Sequence, residues 1–524
     1  MKPLWSTAIA AAMIFSIHNC SYANIAAHKE ALKKSEATVK EVSKSVKESK
    51  FYPSYHAASS AYLMGKPSGL IYFNGEYHLF FQHNLNSLKT DEWNISHLVS
   101  PDLIHWINKP TALAPSETYD KDGVLAGSAI VEDEILYLIY TGNVVNKKED
   151  KTENHQTQNL AMSKDGVNFG KSANNSIIQM APHYMGLNFS SADFRNPYVW
   201  KQSDRYYALI GTQYEKTKDG AVLLFKSKDL RNWVFINVVA LGAKGEMGYM
   251  WESPSLFHIG GEDILVICPQ GIAPHGKMFL NKYQAGWFVG NLDYDTGKFK
   301  QKGAFGLFDY GFDFYAPAIT KTQDGNYLLI AQMDMPDKAT EPQSDKWAGM
   351  MTLPREITVK NGKVVTVPFA GVELLRDNSG LYKEQKISGE KYYNSINGDV
   401  YEMDLEANLA QAKSFAVKLR TSSTQETVLS YDKESKILKL NRDKSSDEAY
   451  NIKGEREVKL PLTDNLLKLR IFVDKSSVEI FANDGQAVLS SRIYPDKHST
   501  GIKFVSDGET VLNHLNFYKL KSIH

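Results

Sequence analysis

Cysteine is nearly absent: two stand among 524 residues, Cys20 and Cys268. Cys20 falls in a segment that reads as removable, so the mature fold is expected to manage without an internal disulfide. Cys268, inside Leu-Val-Ile-Cys-Pro, reads as a buried strand residue. An excess of either charge is also missing, with 60 basic residues against 60 acidic ones. That balance removes the electrostatic argument for nucleic acid or an anionic membrane surface, and favours a neutral ligand. No later stretch is apolar enough to span a bilayer. No metal-ligating cluster, phosphate loop or dinucleotide fingerprint appears, so neither metal nor cofactor is expected. Nothing in the sequence sets an oligomeric state.

Aromatic residues are plentiful, 28 Tyr, 24 Phe and 8 Trp. They suit a strand-rich protein and supply flat faces for sugar rings, although core filling accounts for most of them. The length exceeds what one core usually supports, and two domains are the expectation. The chain opens with Lys2, an apolar run from Ala8 to Ile17 and then Ser21-Tyr22-Ala23. This reads as a signal peptide over residues 1–23, with a secreted or periplasmic destination. Residues 24–50, rich in Lys, Glu, Ala and Ser, read as a charged helical or mobile spacer.

Between residues 69 and 333 one unit recurs with a period near 60 residues: a strand, a polar turn and a second strand rich in Tyr, Leu, Ile and Phe. Five hairpins fit it, at Gly69 to Gln82, Gly127 to Gly142, Asn196 to Gly211, Ser253 to Gly271 and Ala316 to Met333. Asn74-Gly75 marks the first as a tight hairpin. Ser100-Pro-Asp-Leu-Ile-His-Trp106 and Ser227-Lys-Asp-Leu-Arg-Asn-Trp233 close outer parts of the unit. The period predicts an all-β chain beginning with a five-bladed β-propeller over residues 51–375. Shorter alternating strands predict a C-terminal β-sandwich over residues 385–524, after a linker at Arg376-Asp-Asn-Ser-Gly380. In a propeller the inner strands converge on one axis, so Lys66, Ala126, Asn196, Glu252 and Asp313, each just before a first strand, are expected to meet in a funnel.

Several phrases carry a specific likeness. They are Leu63-Met-Gly-Lys66-Pro-Ser-Gly69, Phe80-Phe-Gln82, Phe194-Arg195-Asn196-Pro197, Met250-Trp-Glu252-Ser253-Pro-Ser-Leu-Phe257, Asp309-Tyr-Gly-Phe-Asp313-Phe-Tyr-Ala-Pro317, Trp347-Ala-Gly-Met-Met-Thr-Leu-Pro-Arg-Glu356 and Leu469-Arg-Ile-Phe-Val-Asp-Lys-Ser-Ser-Val-Glu-Ile-Phe481. From about residue 51 to the end, the chain resembles glycoside hydrolase family 32, the β-fructosidases. The resemblance implies Glu252 as acid/base, and Gln82, Arg195, Leu63, Leu125, Ala126 and Asp313 as residues of a sugar pocket. It also implies an aspartate nucleophile where Lys66 stands and a transition-state-stabilising aspartate where Asn196 stands. Leu63, Ile95, Leu125, Ala126 and Gln332 occupy other pocket positions that differ from the family pattern.

Retaining glycosidases need two carboxyl groups about 5–5.5 Å apart, one attacking the anomeric carbon and one moving a proton. An ammonium at Lys66 has no lone pair, and an amide at Asn196 supplies no negative charge to a developing cation. With Lys66 ~5 Å from Glu252 and an effective dielectric of ~20, the attraction is about 3 kcal/mol, which keeps the glutamate ionised and unfit as an acid. The leading expectation is therefore a β-fructosidase-like protein for a small carbohydrate with impaired hydrolysis. Two alternatives stand beside it: a non-catalytic carbohydrate-binding protein, and a residual or altered glycosidase recruiting Asp91 or Glu92 beside Glu252.

Overall fold

A computed structural model describes residues 25–148, 151–337, 345–360, 362–447, 450 and 452–524. The expected signal peptide lies outside these residues. Among them, five small antiparallel sheets arranged round one axis form a β-propeller, followed by a nearly closed β-sandwich. Each expected hairpin supplies the two inner strands of a blade. The pairs are Tyr62–Phe73 with Glu76–Asn84, Val124–Glu132 with Ile135–Lys148, Leu187–Gln202 with Arg205–Tyr214, Met250–Ile259 with Glu262–Gln270, and Tyr315–Lys321 with Tyr327–Gln332. At Asn74 and Gly75, φ values of 49° and 90° give the mirror-image turn that matches strand twist.

Apolar side chains facing outward from each blade meet those of the next. Phe80 and Ile95 of the first blade pack with Leu136 and Leu138 of the second. Leu79 and Phe81, on alternate sides, pack with Leu328 and Ile330 of the fifth. The ring closes where Trp347–Ala348 runs parallel beside Tyr62–Leu63. Outer turns repeat a device the sequence showed twice: a serine hydroxyl and an aspartate lock the bend, at Ser100 with Asp102 and at Ser227 with Asp229. Ser163 with Asp165 is a third copy, which sequence reading passed over.

One irregularity positions the functional residues. Every innermost strand carries an extra residue relative to its partner, between Met64 and Pro67, Leu125 and Gly127, Arg195 and Tyr198, Glu252 and Ser255, and Tyr315 and Ala318. Such bulges bend a strand and re-aim its side chains. Asn196, Ser253 and Ala316 have left-handed backbone there, with φ of 61°, 44° and 48°.

The sandwich differs from expectation at its start. Arg376 to Gly380 are not a linker: they open a 22-residue strand, Arg376–Asn397, that pairs with Gly501–Leu520. Arg376 donates from Nε and Nη2 to Glu402, both at 2.7 Å, and lies over the Tyr518 ring. Those contacts hold the polar run in a ladder. The join between domains is instead the short 3-10 helix Ala370–Leu375.

Residues 24–50, expected as a charged helical or mobile spacer, are mostly helical but packed on the body of the protein. Ile25–Lys47 is a helix docked on the protein, with Val42 and Val46 buried against Phe51, Tyr52, Trp347 and Tyr494. His28, at the other end, accepts the Ala114 N–H on Nε2 at 3.3 Å. Burial, and then the Lys171 cation, push His28 from the ordinary 6.5 down to about 4, against the pull of Asp120. Unfolded chain binds a proton there that the folded chain refuses, so stability falls as pH drops from about 6.5 towards 4. The expected loss is up to about 3 kcal/mol over that window. Denaturant titrations between those pH values check it, with His28→Gln, which keeps an acceptor without a charge, flattening the slope.

Candidate active site

The bulged strand heads surround a cavity of about 560 Å³ at one end of the propeller axis. Glu252 is its chemical centre. Lys66 Nζ lies 2.9 Å from Glu252 Oε2, closer than the separation assumed from sequence, and donates to Asn196 Oδ1 at 3.2 Å. Arg195 Nε donates to Glu252 Oε1 at 2.5 Å, and the Tyr315 hydroxyl donates to Oε2 at 2.5 Å. One carboxylate thus answers two cations and a phenol. Burial alone raises a carboxyl pKa, but Lys66 and Arg195, with the Tyr315 hydrogen bond, hold Glu252 well below the usual range. Burial, aided by the Arg195 charge, lowers Lys66 despite its glutamate partner.

The other expected residues divide into those at the cavity and those elsewhere. Leu63, Gln82, Leu125 and Arg195 line it. The Gln82 side chain is buried, and its Oε1 accepts no hydrogen bond among the described residues. Ala126 contributes its backbone, accepting from Asn196 Nδ2 at 3.2 Å, which fixes the amide so that Oδ1 faces Lys66. Asn196 itself borders a second cavity of about 620 Å³ farther along the axis, which neither Lys66 nor Glu252 lines. Asn196 is therefore the floor between the two.

Asp313 is not in the funnel. It is fully buried against the sandwich, 2.9 Å from Arg442 Nη1 and accepting the Arg492 N–H at 2.8 Å. Bulge phase explains the misplacement. Lys66, Asn196, Ser253 and Ala316 each precede a proline, so they share one phase, and Gly65, Arg195, Glu252 and Tyr315 share the phase before it. In the fifth blade the partner of Glu252 is thus Tyr315. Aligning the X-Pro steps would have found it in the sequence.

Asp91 and Glu92 do not enter the funnel. Asp91 accepts from Asn84 Nδ2 at 2.8 Å and Glu92 from Asn86 Nδ2 at 2.7 Å, which ties both into their own loop. Asp193 lines the cavity, but Arg195 Nη1 holds it at 2.7 Å. Two aromatic walls also went unread, Trp93 and Tyr283. Trp93 lies against Gly65, where a β-carbon would meet its ring at 3.0 Å, so glycine at 65 makes room for an indole despite Leu63. Ile95 is buried in the core between the first two blades. Cys268, directly across the ladder from Glu252, is buried, and burial followed by the Glu252 charge pushes its thiol up.

Residues 56–368 match the glycosyl hydrolases family 32 N-terminal domain and residues 371–519 match the glycosyl hydrolases family 32 C-terminal domain. The chain belongs to glycoside hydrolase family 32. Among its family 32 relatives, a sucrose-6-phosphate hydrolase of Escherichia coli is 36% identical over 479 residues, covering 90% of this chain and 95% of the relative. A raffinose invertase of the same species is 36% identical over 466 residues, covering 88% and 94%. A solved family 32 β-fructofuranosidase from Bombyx mori superposes with a TM-score of 0.81 at 31% identity, covering 94% of this chain and 99% of that one. The matched blocks meet at the Ala370–Leu375 helix.

Replacing Lys66 by methionine removes one of the two cations on Glu252. The Lys66→Met variant is expected to raise the Glu252 titration midpoint by about 1–3 pH units, read by carboxyl infrared or carbon-13 NMR titration. An unmoved midpoint would assign the depression to Arg195 and Tyr315 alone.

Proposed function

We propose that this protein recognises a small β-fructoside in the funnel and does not hydrolyse it at enzymic rates. The observation that carries the reading is the Lys66 ammonium 2.9 Å from Glu252, at the place the family resemblance gives to an attacking carboxylate. With the cation there, the site lacks an attacking carboxylate at that position, and Glu252 is held ionised, without a proton to give a glycosidic oxygen. Asp193, Asp334 and Asp337 also line the cavity. Asp193 is held by Arg195, Asp334 accepts the Met335 N–H at 2.9 Å and lies 4.0 Å from Arg492, and Asp337 is exposed to solvent.

Recognition without turnover is favoured by what lines the cavity. Its volume suits a sugar of one or two rings, Trp93 and Tyr283 offer aromatic faces, and Gln82 holds a buried acceptor with no donor among the described residues. The sugar class comes from the relatives, which include a sucrose-6-phosphate hydrolase and a raffinose invertase, and from a Bombyx mori β-fructofuranosidase variant solved in complex with sucrose.

Loss of a covalent nucleophile in a well-studied hydrolase lowers turnover on the order of a million-fold. Purified protein is therefore expected to release no fructose from sucrose above a Glu252→Gln control. The double variant Lys66→Asp with Asn196→Asp is expected to recover hydrolysis by several orders of magnitude, on the same scale. Fructose release by the unaltered protein at ordinary enzyme rates, abolished by Glu252→Gln, would overturn the proposal.

Export is part of the same reading and rests on Lys2, the apolar run to Ile17 and Ser21-Tyr22-Ala23. Intact mass of protein from the native cell envelope or medium is expected to place the mature N-terminus at Asn24. An unprocessed Met1 would remove the basis for export.

A further inference from the structure

Hydrolysis has no role for a primary amine, yet Lys66 presents one to the cavity beside a ready proton carrier. The side chain lines the space, its Nζ touches Glu252 Oε2, and Asn196 Oδ1 fixes its direction from the other side. Arg195 grips the opposite oxygen of the same carboxylate. Two cations sharing one glutamate disfavour the second charge, an arrangement that turns a lysine into a nucleophile.

We propose that Lys66 condenses with the carbonyl carbon of an open-chain reducing sugar to form a Schiff base, with Glu252 moving the protons. The proposal rests on the reading of the funnel as a sugar pocket. Glu252 takes one proton from the ammonium, and the freed nitrogen lone pair attacks the carbonyl carbon. The carbonyl oxygen, protonated through Glu252, leaves as water when the nitrogen lone pair forms the C=N bond. Two of the three ammonium protons depart with that oxygen, and the third stays on the iminium. Charge is conserved: the iminium remains a cation against the Glu252 carboxylate, so the ion pair survives the reaction. Hydrolysis reverses each step, and no oxidant or reductant takes part.

The lowered affinity of Lys66 for its proton, caused first by burial and also by Arg195, agrees with this geometry. Each pH unit of lowering raises the free amine about tenfold at neutral pH. The Tyr315 hydroxyl donates to the glutamate and favours its ionised form, to which Glu252 returns when the proton has been passed on.

Fructose and cyanoborohydride, incubated with the full chain, convert an iminium into a stable secondary amine that peptide mass mapping can locate. Lys66 is expected to be labelled on the order of tenfold faster than the average surface lysine. Sucrose, which has no free carbonyl, is expected to give no label, and Glu252→Gln is expected to slow labelling at Lys66 while leaving surface lysines unchanged. Lys66→Arg removes that site alone. Labelling of Lys66 no faster than that of surface lysines overturns the proposal. Calorimetry with fructose and no reductant separates the two readings: heat without label overturns only the covalent step, and neither heat nor label overturns the sugar pocket as well.

Discussion

The bulge near the head of each innermost strand is the constraint from which the site follows. A regular strand alternates its side chains, and five regular strands round an axis would present an arbitrary mixture to the funnel. The extra residue resets that alternation at the same height in every blade. It leaves Arg195, Glu252 and Tyr315 in one layer, where Arg195 and Tyr315 both reach Glu252, and Lys66 with Asn196 in the next. Left-handed backbone at Asn196, Ser253 and Ala316 is strained for residues with a β-carbon, and the paired strands on either side hold it.

Within that frame the chemistry is decided by charge balance. A site for a retaining glycosidase sets two carboxyl groups against one another so that one keeps its proton. Here the second group is an ammonium, and the sign of the coupling reverses. Glu252 is held ionised, Lys66 is held close, and the pair stays net neutral in a buried place. The cavity of about 560 Å³ presents an amine beside a carboxylate, and the proposed absence of hydrolysis and the proposed Schiff base both rest on those two groups.

The second domain serves the first through buried charge rather than through the pocket. His56 lies between Asp474 at 2.8 Å and Glu479 at 3.0 Å, and Arg355 joins Glu479 to Asp309. Asp309, Arg355, Asp474 and Glu479 come from three of the phrases that carry the family likeness. Their partners are sandwich strands, so those phrases survive as an interface. The phrases around Asp309, Arg355 and Asp474 thus hold the two domains together, while Lys66, Arg195 and Glu252 face the cavity.

Much of the molecule was legible in the chain itself. The near-60-residue recurrence gave five blades, alternation gave the sandwich, and the residues around Lys66, Asn196 and Glu252 gave the centre of the site. What the sequence could not supply was phase and contact. Asp313 was read into the funnel because a propeller strand's start cannot be located to one residue without its bulge, and two residues of error turn a side chain from the cavity to the domain interface. Residues 24–50 were read as a charged helical or mobile spacer, and the docking of Ile25–Lys47 went unseen because its few apolar residues make a narrow stripe, which only the grooves around Phe51 and Trp347 make useful. Trp93 and Tyr283 were missed since each reaches the pocket from a loop that only the closed ring brings over the axis. Sequence determined which groups the site contains, because residue type fixes charge and nucleophilicity. Tertiary structure alone decided which of them touch, because distances of about 3 Å between residues as far apart as Lys66 and Glu252 arise only when the blades close.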